Sequence, residues 1–369
     1  MASICCFFNY NPLYRYPIYE AMGERYDVDF YFGDTVFEPI KQFDANTLKG
    51  FKGFLKTRKV FGGSFFWHKA EKVFNRIYKI YIITGDSSII LNWRLLLHCK
   101  IHNKKIYAWT HGIKDYESQN RKGRFLNKLF FRSMTGILMY NHHTCPNMLH
   151  LGCKKSQLLV IHNSLDTPQQ TLFYNNIKPS TIYQDHFNNN SPTAIYIGRL
   201  QKRKKINQLI AAVAQLNEHD FDVNLVIVGK ETDDDTIDKQ ILESGIQSKI
   251  WKYGPCFEEA KNAELLYNAN VLVCPAEVGL SCIHALSYGT PVITNNNFPC
   301  QMPEFEAINE GETGSFFIEN DIDDLEKNIR QWCSIQPEER EGIRKKARKT
   351  IIDEWSVDYQ LSILDQILV

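Results

Sequence analysis

Short apolar runs rich in Ile, Val, Phe and Tyr recur along this chain, and most are followed by a turn and a segment with helical periodicity. SICCFFNY leads into NPLYRYPIYEAM, and DVDFYFGD follows. KIYIITGDSS precedes a helical stretch reaching about Cys99, after which come KKIYAWTHG, TGILMYN and LLVIHNSL. Strand–helix–strand order requires crossover connections between parallel strands, so it predicts α/β layers with mostly parallel sheets. The alternation is interrupted once. From about Asp166 to Pro192 polar and turn-forming residues take over (TPQQ, YNNIKPS, HFNNNSP), and the pattern then restarts with TAIYIGRL, INQLIAAVAQLNE and VNLVIVGK. The chain therefore reads as two doubly wound, Rossmann-like domains facing a cleft. The first spans 1–168, the linker 169–190 and the second 191–349, with a C-terminal helix at about 350–369 packing back on the first domain.

A length of 369 residues fits two cores better than one. With 44% hydrophobic and 23% charged residues the composition is that of a globular protein, and no apolar run is long enough to span a bilayer. MASICCFFNYNP lacks a basic leader before an apolar core, which argues against a secretory signal. The ten cysteines include no C-x-x-C pair, so reduced thiols in a cytoplasmic protein are expected. His142, His143, Cys145 and Cys153 match no zinc spacing, and no metal is expected. The net charge of +1 conceals a split: residues 1–170 carry 24 basic and 12 acidic side chains (+12), leaving 19 basic and 30 acidic (−11) in the remainder. Such a basic half suits a phosphorylated ligand or an anionic membrane surface. Nucleic acid is not expected, because its basic and aromatic residues match no known module.

Two stretches of the second domain carry chemistry. In GRLQKRKKINQLI (198–210), a glycine closes a strand and Arg199 and Lys204 are five residues apart. A guanidinium fork and an ammonium point charge together suit a diphosphate, although QKRKK alone is equally a solvated basic loop. In CPAEVGLSCIHALSYGTPVIT (274–294), a strand enters a turn and a short apolar helix. Gly279 permits close backbone approach, and the helix start at Leu280 and Ser281 offers unpaired N–H groups and a positive dipole end. There is no P-loop and no G-x-G-x-x-G, so neither a P-loop NTPase nor an ordinary dinucleotide-dependent dehydrogenase is favoured.

These motifs, in this order, resemble the donor half of GT-B glycosyltransferases of family 4. The resemblance rests on G-R-L with a lysine five places after the arginine, VIVG ending at Gly229, the strand end at Tyr253–Gly254, and the glycine–helix–GTPVI segment. It covers about 191–334. It implies that Arg199 and Lys204 bind the diphosphate of a nucleotide sugar, UDP-sugars being favoured, with Gly229, Tyr253, Gly279, Leu280 and Ser281 lining the site. Relatives commonly carry two glutamates eight residues apart, for the sugar and the ribose; here those positions hold Ala276 and His284. The resemblance therefore assigns the sugar to Glu277, one place later, and the ribose to His284, unless that ring is a packed core histidine. The VGLSCIHALSYGTPVIT pattern also resembles a subgroup of bacterial polysaccharide transferases.

The first domain resembles the acceptor half. Tyr14 and Arg15 follow the first strand, where the family's loop meets the acceptor, and His111 in WTHG matches a position where many relatives keep an active-site histidine. The implied activity is retaining, metal-independent transfer of a sugar to a glycan or polyprenyl-diphosphate-linked acceptor for surface polysaccharide, with no cofactor. His111 and Glu277 would serve catalysis, at the inner face of the cell membrane. RKGRFLNKLFFRSM (121–134) mixes cations and apolar residues at helical intervals, as a membrane-surface helix or an ordinary basic helix would. Two rivals remain open: a sugar-nucleotide epimerase of the same fold, and a non-catalytic sugar-nucleotide-binding scaffold.

Overall fold

The computed structural model describes residues 3–37, 40–116, 120–233 and 236–368. The chain divides into two compact units, residues 1–166 with 357–369, and residues 167–356.

The first unit is built on seven parallel strands in the order β3-β2-β1-β6-β7-β8-β9. They are β1 (Ile4–Phe8), β2 (Val28–Gly33), β3 (Phe51–Leu55), β6 (Ile80–Thr84), β7 (Lys105–Thr110), β8 (Gly136–Met139) and β9 (Leu158–Val160), while β4 (Thr57–Val60) and β5 (Phe65–His68) form a separate antiparallel hairpin. Helices α1 (Tyr16–Arg25), α2 (Ile90–Ile101), α3 (Arg121–Arg132) and α4 (Cys145–His150) complete the crossovers. Every residue of β1 and β2 is buried, which is why these strands read as near-continuous apolar runs. Their side chains alternate between two cores. Cys5 and Phe7 join Tyr81, Ile83, Leu95 and Phe130 on one face; Cys6 and Phe8 join Tyr19, Phe30, Phe32 and Trp109 on the other.

The second unit carries six parallel strands in the order β12-β11-β10-β13-β14-β15: β10 (Thr193–Ile197), β11 (Asn224–Val228), β12 (Ile250–Gly254), β13 (Val271–Cys274), β14 (Val292–Asn295) and β15 (Gly314–Phe317). Its helices are α5 (Thr167–Asn176), α6 (Ile182–Phe187), α7 (Ile206–Glu218), α8 (Ile237–Glu243), α9 (Glu259–Asn268), α10 (Leu280–Ser287), α11 (Ile322–Cys333) and α12 (Pro337–Glu354). Both sheets reverse direction of growth beside their first strand, between β1 and β6 and between β10 and β13. Ligands of doubly wound sheets bind beyond the carboxyl ends of the strands at such a point.

Three expectations are corrected. The expected linker at 169–190 is instead α5 and α6, both within the second unit: the Tyr183 hydroxyl donates to the Leu265 carbonyl (2.6 Å) and the Ser180 N–H to Asn268 Oδ1 (2.9 Å). These helices bury few residues (Thr167 and Gln170; Tyr183), so their apolar signal is weak. The C-terminal helix returning to the first unit, α13 (Val357–Leu368), starts later than 350, since α12 continues to Glu354 in the second unit. Val357, Leu364 and Ile367 enter the first unit's core, and Arg25 grips Asp365 through two bonds of 2.9 and 2.6 Å. The pattern also misses β3 and the hairpin. In β3, Gly53 sits at φ 141 beside a register shift, so strict alternation is lost.

His68, at the end of β5, is 2% exposed, and neither ring nitrogen has a hydrogen-bond partner among the described residues. Burial pushes its pKa down to about 4, with Asp34 opposing. The unfolded ring titrates near 6.5, so between about pH 6.5 and 4 the unfolded chain binds more protons and stability falls as pH falls. The slope from one such group reaches about 1.4 kcal/mol per pH unit. Urea denaturation across this window is expected to show that loss, and His68→Leu to flatten it. An unchanged slope in the variant would mean that the native ring is protonated as readily as the unfolded one.

Candidate functional site

In the second unit, the two chemistry-bearing stretches leave the carboxyl ends of β10 and β13, which are hydrogen-bonded neighbours at the switch point. Gly198 and Arg199 follow β10. The Arg199 side chain is exposed and makes no hydrogen bond or ion pair with a described residue. Lys204 lies at the end of a 3-10 turn over Lys202–Lys204 and reaches across to the β13 loop. Its Nζ donates to the Glu277 carbonyl (2.8 Å) and lies 3.0 Å from Glu277 Oε1. Arg203 also pairs with this carboxylate. The two stretches are thus joined by a cation–carboxylate contact whose side chains are 17% and 15% exposed.

Helix α10 begins at Leu280 with Gly279 as its N-cap, and no side chain caps it. Upstream, the Val278 N–H donates to Gln301 Oε1 (2.8 Å), which fixes the entry of the chain. The Cys282 N–H bonds back to the Gly279 carbonyl (2.8 Å), which leaves the Leu280 and Ser281 N–H groups without a partner among the described residues. A Cβ at Gly279 would meet only Met302, at 3.8–3.9 Å, an ordinary contact, so no steric clash accounts for the glycine.

His284, one turn further on, is 14% exposed in its side chain, and its Nε2–H donates to Glu259 Oε1 (3.0 Å). The same oxygen accepts from the Tyr288 hydroxyl (2.6 Å) and Gln170 Nε2 (3.3 Å). Burial pushes the Glu259 carboxyl up, but the hydrogen bonds from His284, Tyr288 and Gln170 outweigh it and hold it below the ordinary carboxylate range.

In the first unit a cavity of about 310 Å³ opens at the other switch point. Its walls come from the segments after β1 (Asn9, Tyr14, Arg15), β6 (Gly85, Asp86) and β7 (His111). Arg15 is 8% exposed. Its Cζ lies 5.0 Å from the ring centroids of both Trp109 and Tyr140, and Nη1 donates to the Tyr19 hydroxyl at 3.4 Å. Asp86 lines the same cavity, but its carboxylate accepts from the Ser88 N–H (2.8 Å) and hydroxyl (2.7 Å). The His111 ring sits 4.5 Å from that of Tyr140. The residue is exposed, so water offsets much of the cost of burying the cation, and the repulsion from Arg15 and Lys114 is the firmer part of the downward push. Together these hold its pKa below that of a free imidazole, which favours the neutral ring at pH 7.

Residues 179–350 match the family model for glycosyl transferases group 1. The second unit carries a group 1 glycosyl transferase domain. Glycogen synthase of Mycobacterium tuberculosis is 26% identical over 139 residues, 37% of this chain; the chain thus covers about a third (32%) of that relative's length. Three solved structures superpose on nearly the full chain. Anabaena HepE in complex with UDP gives a TM-score of 0.73 at 14% identity, covering 100% of this chain and 99% of that one. A glycosyltransferase from Rickettsia africae gives 0.72 at 14%, covering 99% and 97%. The lipopolysaccharide outer core galactosyltransferase WaaB gives 0.68 at 15%, covering 99% of each. At these identities the likeness establishes architecture: the chain has the GT-B fold.

Within the group 1 glycosyl transferase domain, Lys204 and Glu277 meet directly, and Leu280, Ser281 and His284 lie on one short helix. Two residues stand apart. Tyr253 ends the edge strand β12 and packs 5.0 Å from Trp251. Gly229 serves packing, since a Cβ there would lie 1.8 Å from the Gly198 carbonyl oxygen. Gly198 N–H donates to Val228 and Gly229 N–H to Gly254 (3.0 and 2.9 Å), so three glycine-ended strands pack at one level. Sequence reading missed Arg203, Glu259 and Tyr288 here, and Trp109 and Tyr140 around Arg15. Only Arg203 left a local signal, as part of the basic run.

The neutral state of His111 is directly measurable. By NMR its imidazole is expected to titrate below the ordinary value of about 6.5. Arg15→Gln removes a repelling cation, so the pKa of His111 rises in that variant; an unmoved or lowered value would place the two groups out of electrostatic reach.

Proposed function

We propose that the chain is a retaining glycosyltransferase of family 4 type. The second unit holds a nucleotide diphosphate sugar, and the first takes a glycan or lipid-linked glycan acceptor for surface polysaccharide. The observation that carries this reading is the junction at β10 and β13, where Arg199, Lys204 and an uncapped helix start emerge from neighbouring strand ends. HepE was solved with UDP and with UDP-glucose, which favours a UDP-sugar here.

In the proposed reaction the bond from the anomeric carbon to the diphosphate oxygen breaks and a bond to the acceptor hydroxyl oxygen forms. The acceptor proton leaves with the departing diphosphate. Arg199, Lys204 and the N–H groups of Leu280 and Ser281 oppose the charge that builds on that leaving group, a stabilisation strongest in the transition state. These groups supply the counter-charge that a metal ion provides elsewhere, and the proposal is metal-independent. Glu277 moves between Lys204 and a sugar hydroxyl, and neutral His111 hydrogen-bonds a sugar or acceptor hydroxyl without competing for the anion.

A thermal-shift panel of UDP, GDP, dTDP and ADP sugars with matched free nucleotides tests the donor half, since a ligand of the folded state raises Tm. One nucleotide class is expected to stabilise the protein. Arg199→Ala and Lys204→Ala are each expected to weaken it about ten- to hundredfold, the scale of one charge-assisted hydrogen bond of about 1.5–3 kcal/mol. Release of free nucleoside diphosphate only when acceptor is present marks a transferase. Turnover without acceptor marks an epimerase, and binding without any turnover a scaffold.

The membrane part of the proposal rests on α3. It carries Arg121, Lys122, Arg124, Lys128 and Arg132, and exposes Phe125 (69%) and Leu129 (50%), four residues apart on one face. Among the described residues no helix is long and apolar enough to cross a membrane. Basic helices with an apolar stripe bind anionic bilayers in the interface plane. Flotation is expected to recover the protein with phosphatidylglycerol vesicles and not with phosphatidylcholine. Phe125→Glu with Leu129→Glu should abolish recovery, and equal recovery on both lipids counts against the surface role.

A further inference from the structure

A second cavity of the first unit adjoins the one at Arg15 and His111, and the proposed reaction gives it no task. It measures about 260 Å³, below the roughly 300 Å³ at which pockets for drug-sized ligands begin, so it suits a single ring. Asn9, Tyr10 and Asp86 line both cavities and form their common edge. Phe37, Phe66 and Ile89 supply apolar surface, the Phe37 and Phe66 rings lying 5.3 Å apart at 41°. The hairpin that brings Phe66 here is pinned at both strands. The Thr57 N–H donates to Asp34 Oδ1 (2.7 Å), and the Phe66 N–H to the Ser88 carbonyl (3.0 Å) just before α2. The walls are therefore held by the protein itself.

The polar groups narrow the ligand. Among the described residues no lysine or arginine lines this cavity, whereas Asp86 does, so a phosphate or carboxylate would meet like charge. Lys59 Nζ lies 4.2 Å from the Phe37 ring centroid, outside the lining. Asp86 Oδ1 accepts from Ser88, while Oδ2 accepts from no described residue. Asn9 bonds to Thr84 through its backbone N–H and Oδ1, while Nδ2 donates to no described residue. The common edge thus holds an open acceptor and an open donor. His68 borders the cavity and is the only described residue with two buried polar atoms lacking a partner. Trp109 Nε1, in the wall of the first cavity, lacks one too. Such atoms are few in native proteins and mark strain, chemistry or an absent molecule. Aromatic surface beside hydroxyl, amide and carboxylate groups suits a pyranose, which presents an apolar C–H face and a rim of hydroxyls. We infer that the acceptor glycan spans both cavities, with the ring bearing the reacting hydroxyl beside Arg15 and His111 and the preceding ring among Phe37, Phe66 and Asp86. The inference rests on the acceptor reading above and adds the substrate class, a glycan of two or more sugars whose second ring the hairpin selects.

NMR and calorimetry on the full chain test this, using methyl glycosides of glucose, galactose, mannose and N-acetylglucosamine and the disaccharides built from them. The His68 ring signals report the second cavity, and those of Trp109 and His111 the first. At least one disaccharide is expected to move both sets and to bind about tenfold tighter than either of its monosaccharides, the scale of one hydrogen bond to a charged group. Phe37→Ala and Asp86→Asn should each bring that ratio close to one, with Tm held. Phe37 is 48% exposed, so Phe37→Ala decides the matter even where Asp86→Asn fails to fold. A preference that survives these changes overturns the inference. Octyl glucoside moving the His68 signals as strongly as the disaccharide would make the cavity a slot for an apolar tail, and overturns it too. Sugars that move the Trp109 and His111 signals alone overturn it while leaving the acceptor reading intact. If no sugar of the panel moves either set, both readings fall.

Discussion

Arg344 and Arg348 hold the C-terminal end of α10, and the arrangement of the second unit depends on that grip. An eight-residue helix is about 12 Å long and far too short to persist alone in water. Here its last carbonyls are taken by buried guanidinium groups from α12: Arg344 Nη1 donates to Tyr288 (3.0 Å) and Arg348 Nη1 to Ser287 (2.9 Å). Two cations at a helix C-terminus also oppose the negative end of its dipole. The chain leaves through Gly289 at φ 72, where a Cβ would lie 2.8 Å from the Arg344 side chain. With one end clamped and Val278 tied to Gln301 at the other, the N–H groups at Leu280 and Ser281 keep their aim without a ligand. In the proposed function, preorganisation of this kind would spare reorganisation when charge develops at the helix start.

The first unit solves a related problem with different chemistry. Burying a cation without a carboxylate is costly, yet Arg15 is placed between Trp109 and Tyr140, whose ring faces attract a guanidinium that is weakly hydrated to begin with. A lysine would lose more solvation and gain less from the rings. The cation fixed there disfavours protonation of His111, so the cavity holds a fixed cation and an imidazole kept from charging, with the Asp86 carboxylate turned to Ser88. That division lets one group meet an anion and the other a hydroxyl.

Much of this was legible in the sequence, because strand ends in doubly wound sheets are marked by glycine, charge and the switch from period two to period 3.6. Gly198–Arg199, Lys204 and the Gly279–Ser281 turn could be placed at strand ends from the chain alone, and so could Tyr14–Arg15 and His111. What stayed hidden depends on contacts between elements. Glu259 looks like any acidic residue at a helix start until α9 is laid beside α10. The aromatic surround of Arg15 draws on β7 and the segment after β8, more than ninety residues away. Helices α5 and α6 were concealed for another reason: they bury one or two residues each and draw much of their order from polar contacts to α9, which leave no periodic trace.

The charge split between the halves invites an account in which a basic unit attracts anions and an acidic one repels them. Magnitudes argue otherwise. At physiological ionic strength the Debye length is about 8 Å, so charges spread over a unit do not sum at one site and only neighbours within a patch do. On α3 five cations with no acidic residue in the same helix form such a patch. In the second unit several acidic residues are already committed to cations: Glu277 to Arg203 and Lys204, Glu319 to Lys205, and Glu326 to Arg330. The excess of acid there says little about the field at the start of α10, which is set by the exposed Arg199, by Lys204 and by oriented N–H groups. Glu277 has the larger local effect, since it holds Lys204 at 3.0 Å. In the proposed function a diphosphate would have to displace a carboxylate that is already well placed, which favours a ligand with more charge than that single carboxylate. On the proposed reading the local ion pair, rather than the net charge of the unit, would set any selectivity for a diphosphate over singly charged anions.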